Sequence, residues 1–150
     1  MADSTMRVFT DGGARGNPGP AAIGIAFFEK DAVILEHKEF IGDTTNNQAE
    51  YTAVLRAIEL AEEKGFDRLD FFLDSQLVVE QLNRRYKIKD RGLEKLFVQI
   101  WNKLPLFKKV TFTHIPREEN VHADRLVNEA LDEDELANKP YDDEEAESTI

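Results

Sequence analysis

A chain of 150 residues with 41% hydrophobic and 33% charged side chains has the size and composition of one ordinary domain able to bury a real core. Zero cysteines exclude disulfides, Cys-based zinc sites and thiol catalysis. The net charge of −11 looks wrong for a nucleic-acid partner, but nine acidic residues and only Lys139 fall within 132–150, which leaves residues 1–131 with 18 basic and 21 acidic groups.

Residues 6–11 (MRVFTD) read as a strand ending at a glycine-rich turn, DGGARGNPGP. The β-branched and aromatic runs 21–28 and 32–42, separated by Glu29–Asp31, read as a hairpin. From Thr45 to Lys64 the TTNN start, helically spaced apolar residues and the stop at Gly65 predict a helix. A short apolar strand at 69–73, an amphipathic helix at 75–85 and a helix from 90 to 104 closed by Pro105 come next. A last strand, 110–114, precedes a last helix from 119 to about 131. This order predicts an α/β domain over 1–131, a mixed sheet flanked by helices. Residues 132–150, acidic and poor in large apolar side chains, are expected to be a tail, a frayed helix end running into disorder. The start MADSTMRVF has no signal-peptide pattern and no segment approaches the ~18 apolar residues of a membrane span. A cytoplasmic monomer with no membrane partner is expected.

Four acidic residues stand where apolar ones belong. Glu50, placed in the first turn of its helix, shares a stripe with Ala53, Val54, Ala57, Ile58 and Ala61. Asp124 shares a face with Val121, Val127 and Leu131. Asp11 and Asp74 each close an apolar strand, VFTD and FFLD. If the helix 45–64 is a crossover, those strands are parallel neighbours and both carboxylates emerge at the carboxyl edge of the sheet. Singly, each has an ordinary reading as a turn, capping-box, N-cap or exposed helix acid. Together they would repel one another unless a divalent cation joined them, and oxygen ligands favour Mg²⁺ or Mn²⁺.

The motifs FTDGGARGNPG, TTNNQAEYTAVLRAI, FFLDSQLVVEQLN and PREENVHADRLVNEAL, in this order and spacing, resemble type 1 ribonuclease H from Arg7 to about Leu131. The resemblance implies a ribonuclease H-like fold, a five-stranded mixed sheet of order 3-2-1-4-5. It implies an endoribonuclease that cuts the RNA strand of an RNA–DNA hybrid with two divalent ions per site, leaving 5′-phosphate and 3′-hydroxyl ends. Asp11, Glu50, Asp74 and Asp124 would be the metal ligands. Gly12, Gly13 and Asn17 would let backbone approach the RNA, Asn46, Asn47 and Gln76 would reach its minor groove, and Thr45 would hold a phosphate of the DNA strand. Asn46 and Asn47 read equally as helix-capping residues.

An auxiliary group before the last aspartate is expected. His114 lies ten residues before Asp124, but members with a PREEN-type segment carry an arginine there, which corresponds to Arg117 and is preferred here. His122 and His37 read as surface residues. The basic handle that several members insert after the Asp74 helix is absent, and Arg84, Arg85, Lys87, Lys89 and Arg91 could supply a reduced grip, with Lys87 and Lys89 foremost. The acidic tail could compete with nucleic acid for that cluster. Rival readings are a non-catalytic hybrid-binding module and another nuclease of the same fold, such as a junction resolvase or an integrase core.

Overall fold

The computed structural model describes residues 4–138. In chain order it comprises β1 (Thr5–Ala14), β2 (Gly19–Glu29), β3 (Ala32–Thr44), α1 (Asn46–Lys64), β4 (Arg68–Leu73), α2 (Gln76–Leu82), α3 (Arg91–Lys103), β5 (Lys109–His114) and α4 (Val121–Ala137), with short 3-10 turns at Leu104–Leu106 and Arg117–Glu119. The strands form a single five-stranded sheet of order β3-β2-β1-β4-β5. Pairing is antiparallel for β1–β2 and β2–β3 and parallel for β1–β4 and β4–β5. The sheet is thus the one the resemblance implied.

Helix α1 forms where its signals lie. Thr45 is the N-cap, its hydroxyl accepting from the Gln48 N–H at 3.2 Å, and Gly65 ends the helix with φ 77°. Its stripe Ala53, Val54, Ala57, Ile58 and Ala61 is fully buried against Val8, Ile23, Ile25, Phe27, Leu69 and Phe71 of the sheet. The helix is the crossover that makes β1 and β4 parallel neighbours.

Two glycines show how the layers are stacked. A Cβ on Gly12 would sit 2.3 Å from the Ala49 carbonyl carbon of α1, and one on Gly24 would sit 2.3 Å from the Ala123 oxygen of α4. Gly24 pairs with Asp11, the residue before Gly12, so successive side chains alternate and the two helices cover opposite faces. On the α4 face, Val127, Ala130 and Leu131 close over Ala22 in a small second core. The rest of that face carries half-buried Phe9, Phe28 and Phe72, with the Arg7 guanidinium 5.5 Å from the Phe9 ring centroid.

Four boundaries differ from the sequence expectation. Asp11 does not end its strand: β1 continues through Gly12, Gly13 and Ala14, paired with Ile23, Ala22 and Ala21. Gly12 serves close packing against α1, and the turn itself spans only 15–18. Glu50 is the fifth residue of α1, in its second turn, which rules out the capping-box reading. Helix α2 stops at Leu82, because Arg84 adopts φ 62° and the Arg85 N–H bonds back to the Glu80 carbonyl. Helix α4 runs on to Ala137, so the segment set aside as a tail begins as helix. Its acidic end is unfavourable for the helix dipole, but Arg15 meets Asp132 and Glu135 at 2.8 and 2.7 Å, and Lys38 meets Glu133 at 2.8 Å. The expected tail beyond residue 138 lies outside the described residues. No helix among the described residues is long and apolar enough to cross a membrane.

Candidate active site

Asp11, Glu50 and Asp74 converge, each offering a carboxylate oxygen within 4.8 Å of the others. Three elements bring them together. β1 and β4 pair as far as Phe9 and Phe72, so Asp11 and Asp74 both stand just beyond the last shared rung. The absent side chain of Gly12 lets α1 approach, which seats Glu50 beside them. Asp124, in the first turn of α4, lines the same cavity of about 270 Å³ together with Gly12, Gly13, Asn46 and Arg117. Asp124 stands at the exposed end of its expected stripe: Val127 and Leu131 are buried, but its own side chain is 37% exposed and Val121 is 62% exposed. It forms the rim of the site.

The inner carboxyls are held away from water and close to one another. Asp11 is 9% exposed and Glu50 7%. Burial, with further repulsion from Asp74 and Asp124, pushes the Asp11 carboxyl up to about 7, although Glu50 and the Gly12 N–H (3.0 Å to Oδ1) hydrogen-bond to it. Burial and the neighbouring Asp11 raise Glu50 well above the usual carboxylate range. Its Oε2 is buried without a hydrogen-bond partner. Of the two arginines lining the cavity, Arg117 meets Asp124 at 3.8 Å but is 81% exposed, and Arg15 is engaged by Asp132 and Glu135. Positive charge is therefore in short supply where it is most needed, and a cation among these oxygens would reverse the strain on both carboxyls.

Residues 9–130 match the family model described as reverse transcriptase-like. A ribonuclease H of Dechloromonas aromatica is 30% identical over 150 residues, covering 88% of this chain and 97% of its own length. The chain belongs to the ribonuclease H family. The crystal structure of RNase H1 from the halophilic archaeon Halobacterium salinarum matches with a TM-score of 0.83 at 42% identity, covering 86% of this chain and 98% of that one. LC11-RNase H1 from compost, solved in complex with an RNA/DNA hybrid, matches with a TM-score of 0.79 at 41% identity over 85% of this chain and 97% of that one. The chain spans 34% of the length of the mycobacterial relatives it matches at 41% identity.

In this ribonuclease H chain the other expected residues divide into two groups. Gly12, Gly13, Asn46 and Arg117 line the cavity with the carboxylates. Asn17, Thr45, Asn47, Gln76, Lys87, Lys89 and His114 do not. Asn17 nevertheless acts on the site: its Oδ1 accepts from the Asn46 N–H at 3.0 Å, while the Asn46 side chain accepts from the Ala14 N–H at 2.8 Å. These bonds tie the 15–18 turn to the start of α1. His114, exposed at the end of β5 and paired with Leu73 of β4, lies outside the cavity lining.

No helix intervenes between α2 and α3, and Arg84, Arg85, Tyr86, Lys87 and Ile88 line a groove there. Two of its cations are already engaged: the Arg84 guanidinium lies 5.1 Å from the Trp101 ring centroid, and Arg85 pairs with Glu80 at 2.6 Å. Beneath the groove, the buried Tyr51 hydroxyl donates to Gln81, whose amide donates to the Lys87 carbonyl.

Three site residues had no signal strong enough to be found in sequence. Arg15 and Asn128 line the cavity, and Asn128 donates to the Asp124 carbonyl at 3.0 Å. Asn120, expected only as part of the last helix, stands at the N-cap of α4 with its side chain turned inward onto Asp74.

Proposed function

We propose that the protein is a metal-dependent endoribonuclease that hydrolyses the RNA strand of RNA–DNA hybrids at the cavity where Asp11, Glu50, Asp74 and Asp124 meet. The observation that carries this reading is the approach of three carboxylates to within 4.8 Å in a family member, two of them buried. The substrate class is supported by the RNA/DNA hybrid in the LC11-RNase H1 complex. A divalent cation fits the donor set: hard oxygens only, repelling one another, with the buried Glu50 Oε2 lacking a partner. Asp11, Glu50, Asp74 and Asp124 would hold it, as two Mg²⁺ or Mn²⁺ ions. Bound there, divalent cations supply charge neutralisation of the scissile phosphate and acidification of the attacking water, leaving 5′-phosphate and 3′-hydroxyl ends.

The chain's own groups do the rest. Asp11 and Glu50, which hold protons readily when the site is bare, are driven to their ionised forms by a cation. Arg117 takes the auxiliary role ahead of His114, because it lines the cavity and reaches Asp124, and its exposed guanidinium is available to a phosphate. Asn46 has its carbonyl oxygen engaged by Ala14, leaving its amide donors for the RNA minor groove alongside Asn47 and Gln76. Thr45 accepts the Gln48 N–H, and its hydroxyl proton remains available to a DNA-strand phosphate, so capping and binding are compatible. Gly12, Gly13 and Asn17 shape the RNA side, and Lys87 and Lys89 hold the DNA strand. A monomeric state and a cytoplasmic location belong to the same proposal.

The test presents RNA–DNA hybrid, duplex RNA and duplex DNA of one sequence to the wild type and to Asp11→Asn, with Mg²⁺ or Mn²⁺. Cleavage confined to the RNA strand of the hybrid and lost in the variant is expected. No hybrid cleavage with either metal, or full activity of Asp11→Asn, overturns the proposal.

A further inference from the structure

Helix α4 is preceded by Asn120, a residue type that ordinarily caps a helix through its side chain. Here it makes no cap bond. The side chain is fully buried and its amide nitrogen donates two hydrogen bonds, to the Thr10 carbonyl at 2.9 Å and to Asp74 Oδ2 at 2.8 Å. Thr10 immediately precedes Asp11 and lies just past Phe9, the last residue of β1 paired with β4. One amide therefore replaces the missing rung of the parallel ladder and joins the backbone beside Asp11 to the carboxylate of Asp74.

The rest of the Asn120 environment does not favour folding for its own sake. Its Oδ1 is buried without a partner, and so is the hydroxyl of Thr10. A polar side chain kept in the interior with one acceptor unmet, and withdrawn from the capping role its position offers, is placed for what its amide donates to.

We infer that Asn120 is a positioning residue that fixes the Asp74 carboxylate against Asp11 and Glu50, so that the three present their oxygens to a divalent cation as one preformed set. This rests on the metal-dependent reading above. Asn120 touches neither substrate nor the reacting atoms; it acts through Asp74. Two amide protons aimed at fixed acceptors leave Asp74 one orientation, with Oδ1 free of this contact and Oδ2 engaged. Without the amide, the carboxylate is free to rotate away from its two like-charged neighbours, and the bare site opens.

The experiment measures Mn²⁺ binding by titration calorimetry without nucleic acid, in the wild type, Asn120→Ala and Asn120→Ser. Thermal unfolding establishes that each variant is folded. Serine retains one shorter donor and guards against alanine failing to fold. Mn²⁺ affinity is expected to fall by about 10–100-fold in Asn120→Ala and by less in Asn120→Ser. Binding of hybrid in EDTA should stay within about twofold of wild type, because Asn120 does not contact the substrate. In the Asp74→Asn background, Asn120→Ala should cause no further loss of Mn²⁺ affinity, an outcome that general loosening of the fold would not produce. Wild-type Mn²⁺ affinity in either folded variant, or an undiminished loss in the Asp74→Asn background, overturns the inference. Weakened Mn²⁺ binding in the variants alongside a wild type that cleaves no hybrid would overturn the functional reading and leave the role of Asn120 standing.

Discussion

Replacing Gly24 with alanine drives a methyl group into the backbone of α4. The added carbon would lie 2.3 Å from the Ala123 oxygen, 2.8 Å from Leu126 Cβ and 3.1 Å from the Val127 nitrogen. Restoring ordinary contact with the Ala123 oxygen, at about 3.4 Å, requires a separation larger by roughly 1 Å. β2 lies within the sheet, paired on both sides, so the helix is the element that yields. Its outer anchors are surface ion pairs, Arg125 to Glu36 and Lys38 to Glu129 and Glu133, each worth about 0–1 kcal/mol. Overpacking of this kind costs about 1–3 kcal/mol, against a typical total stability of about 5–15 kcal/mol, so the variant folds. Its melting temperature should drop by roughly 2–10 °C. Asp124 follows Ala123 directly and moves with it, and a displacement of about 1 Å at a reacting site can lower kcat by up to ~100-fold. The assay pairs thermal unfolding with steady-state cleavage of RNA–DNA hybrid. Gly65→Ala is the control: at φ 77° it strains the α1 cap by about 1–2 kcal/mol but should leave kcat unchanged. A Gly24→Ala protein with lowered melting temperature and wild-type kcat would refute the argument that this close packing positions Asp124.

The remaining predictions concern charge. In the metal-free protein, Asp11 at about 7 against 3.8 and the raised Glu50 mean that the folded state keeps protons the unfolded chain releases, so stability should fall as pH rises from about 4, with the Asp11 contribution lost by about 7. Glu50→Gln should flatten that fall and abolish activity, and Mg²⁺ should oppose the fall in wild type; both are read from denaturation midpoints across pH. Arg117→Ala should lower kcat by about 10–1000-fold, whereas His114→Ala should stay within about twofold; the reverse order in kcat measurements would return the auxiliary role to His114. Lys87→Gln and Lys89→Gln should each weaken hybrid binding and reduce its log–log salt slope by about one, with kcat preserved. Tyr51→Phe leaves the Gln81 acceptor buried and unmet, and should lower stability by about 1–3 kcal/mol in a urea melt.

Sequence by itself determined the elements and the inner carboxylates, since both depend on local pattern. Apolar spacing from Ala53 to Ala61, the Thr45 cap and the Gly65 stop specify α1 through contacts a few residues apart. An acid on such a stripe is visible before any fold is known, which is why Glu50 could be singled out and why Asp11 and Asp74 could be assigned to one sheet edge. The family motifs added the strand order. Tertiary structure alone decided what depends on distant backbone meeting. Gly12 looks like a turn residue until α1 is set 2.3 Å from where a Cβ would be. The length of α4 depends on Arg15 and Lys38, more than ninety residues away, neutralising its acidic end. Asn120 stands at the N-cap of α4, and only the assembled sheet offers its side chain Thr10 and Asp74. Arg117 and His114 are three residues apart in the chain, yet the 3-10 turn at Arg117–Glu119 directs one to the cavity while β5 leaves the other outside its lining. Local propensity is short-ranged, whereas a site is built from groups whose separation in space is set by the whole sheet.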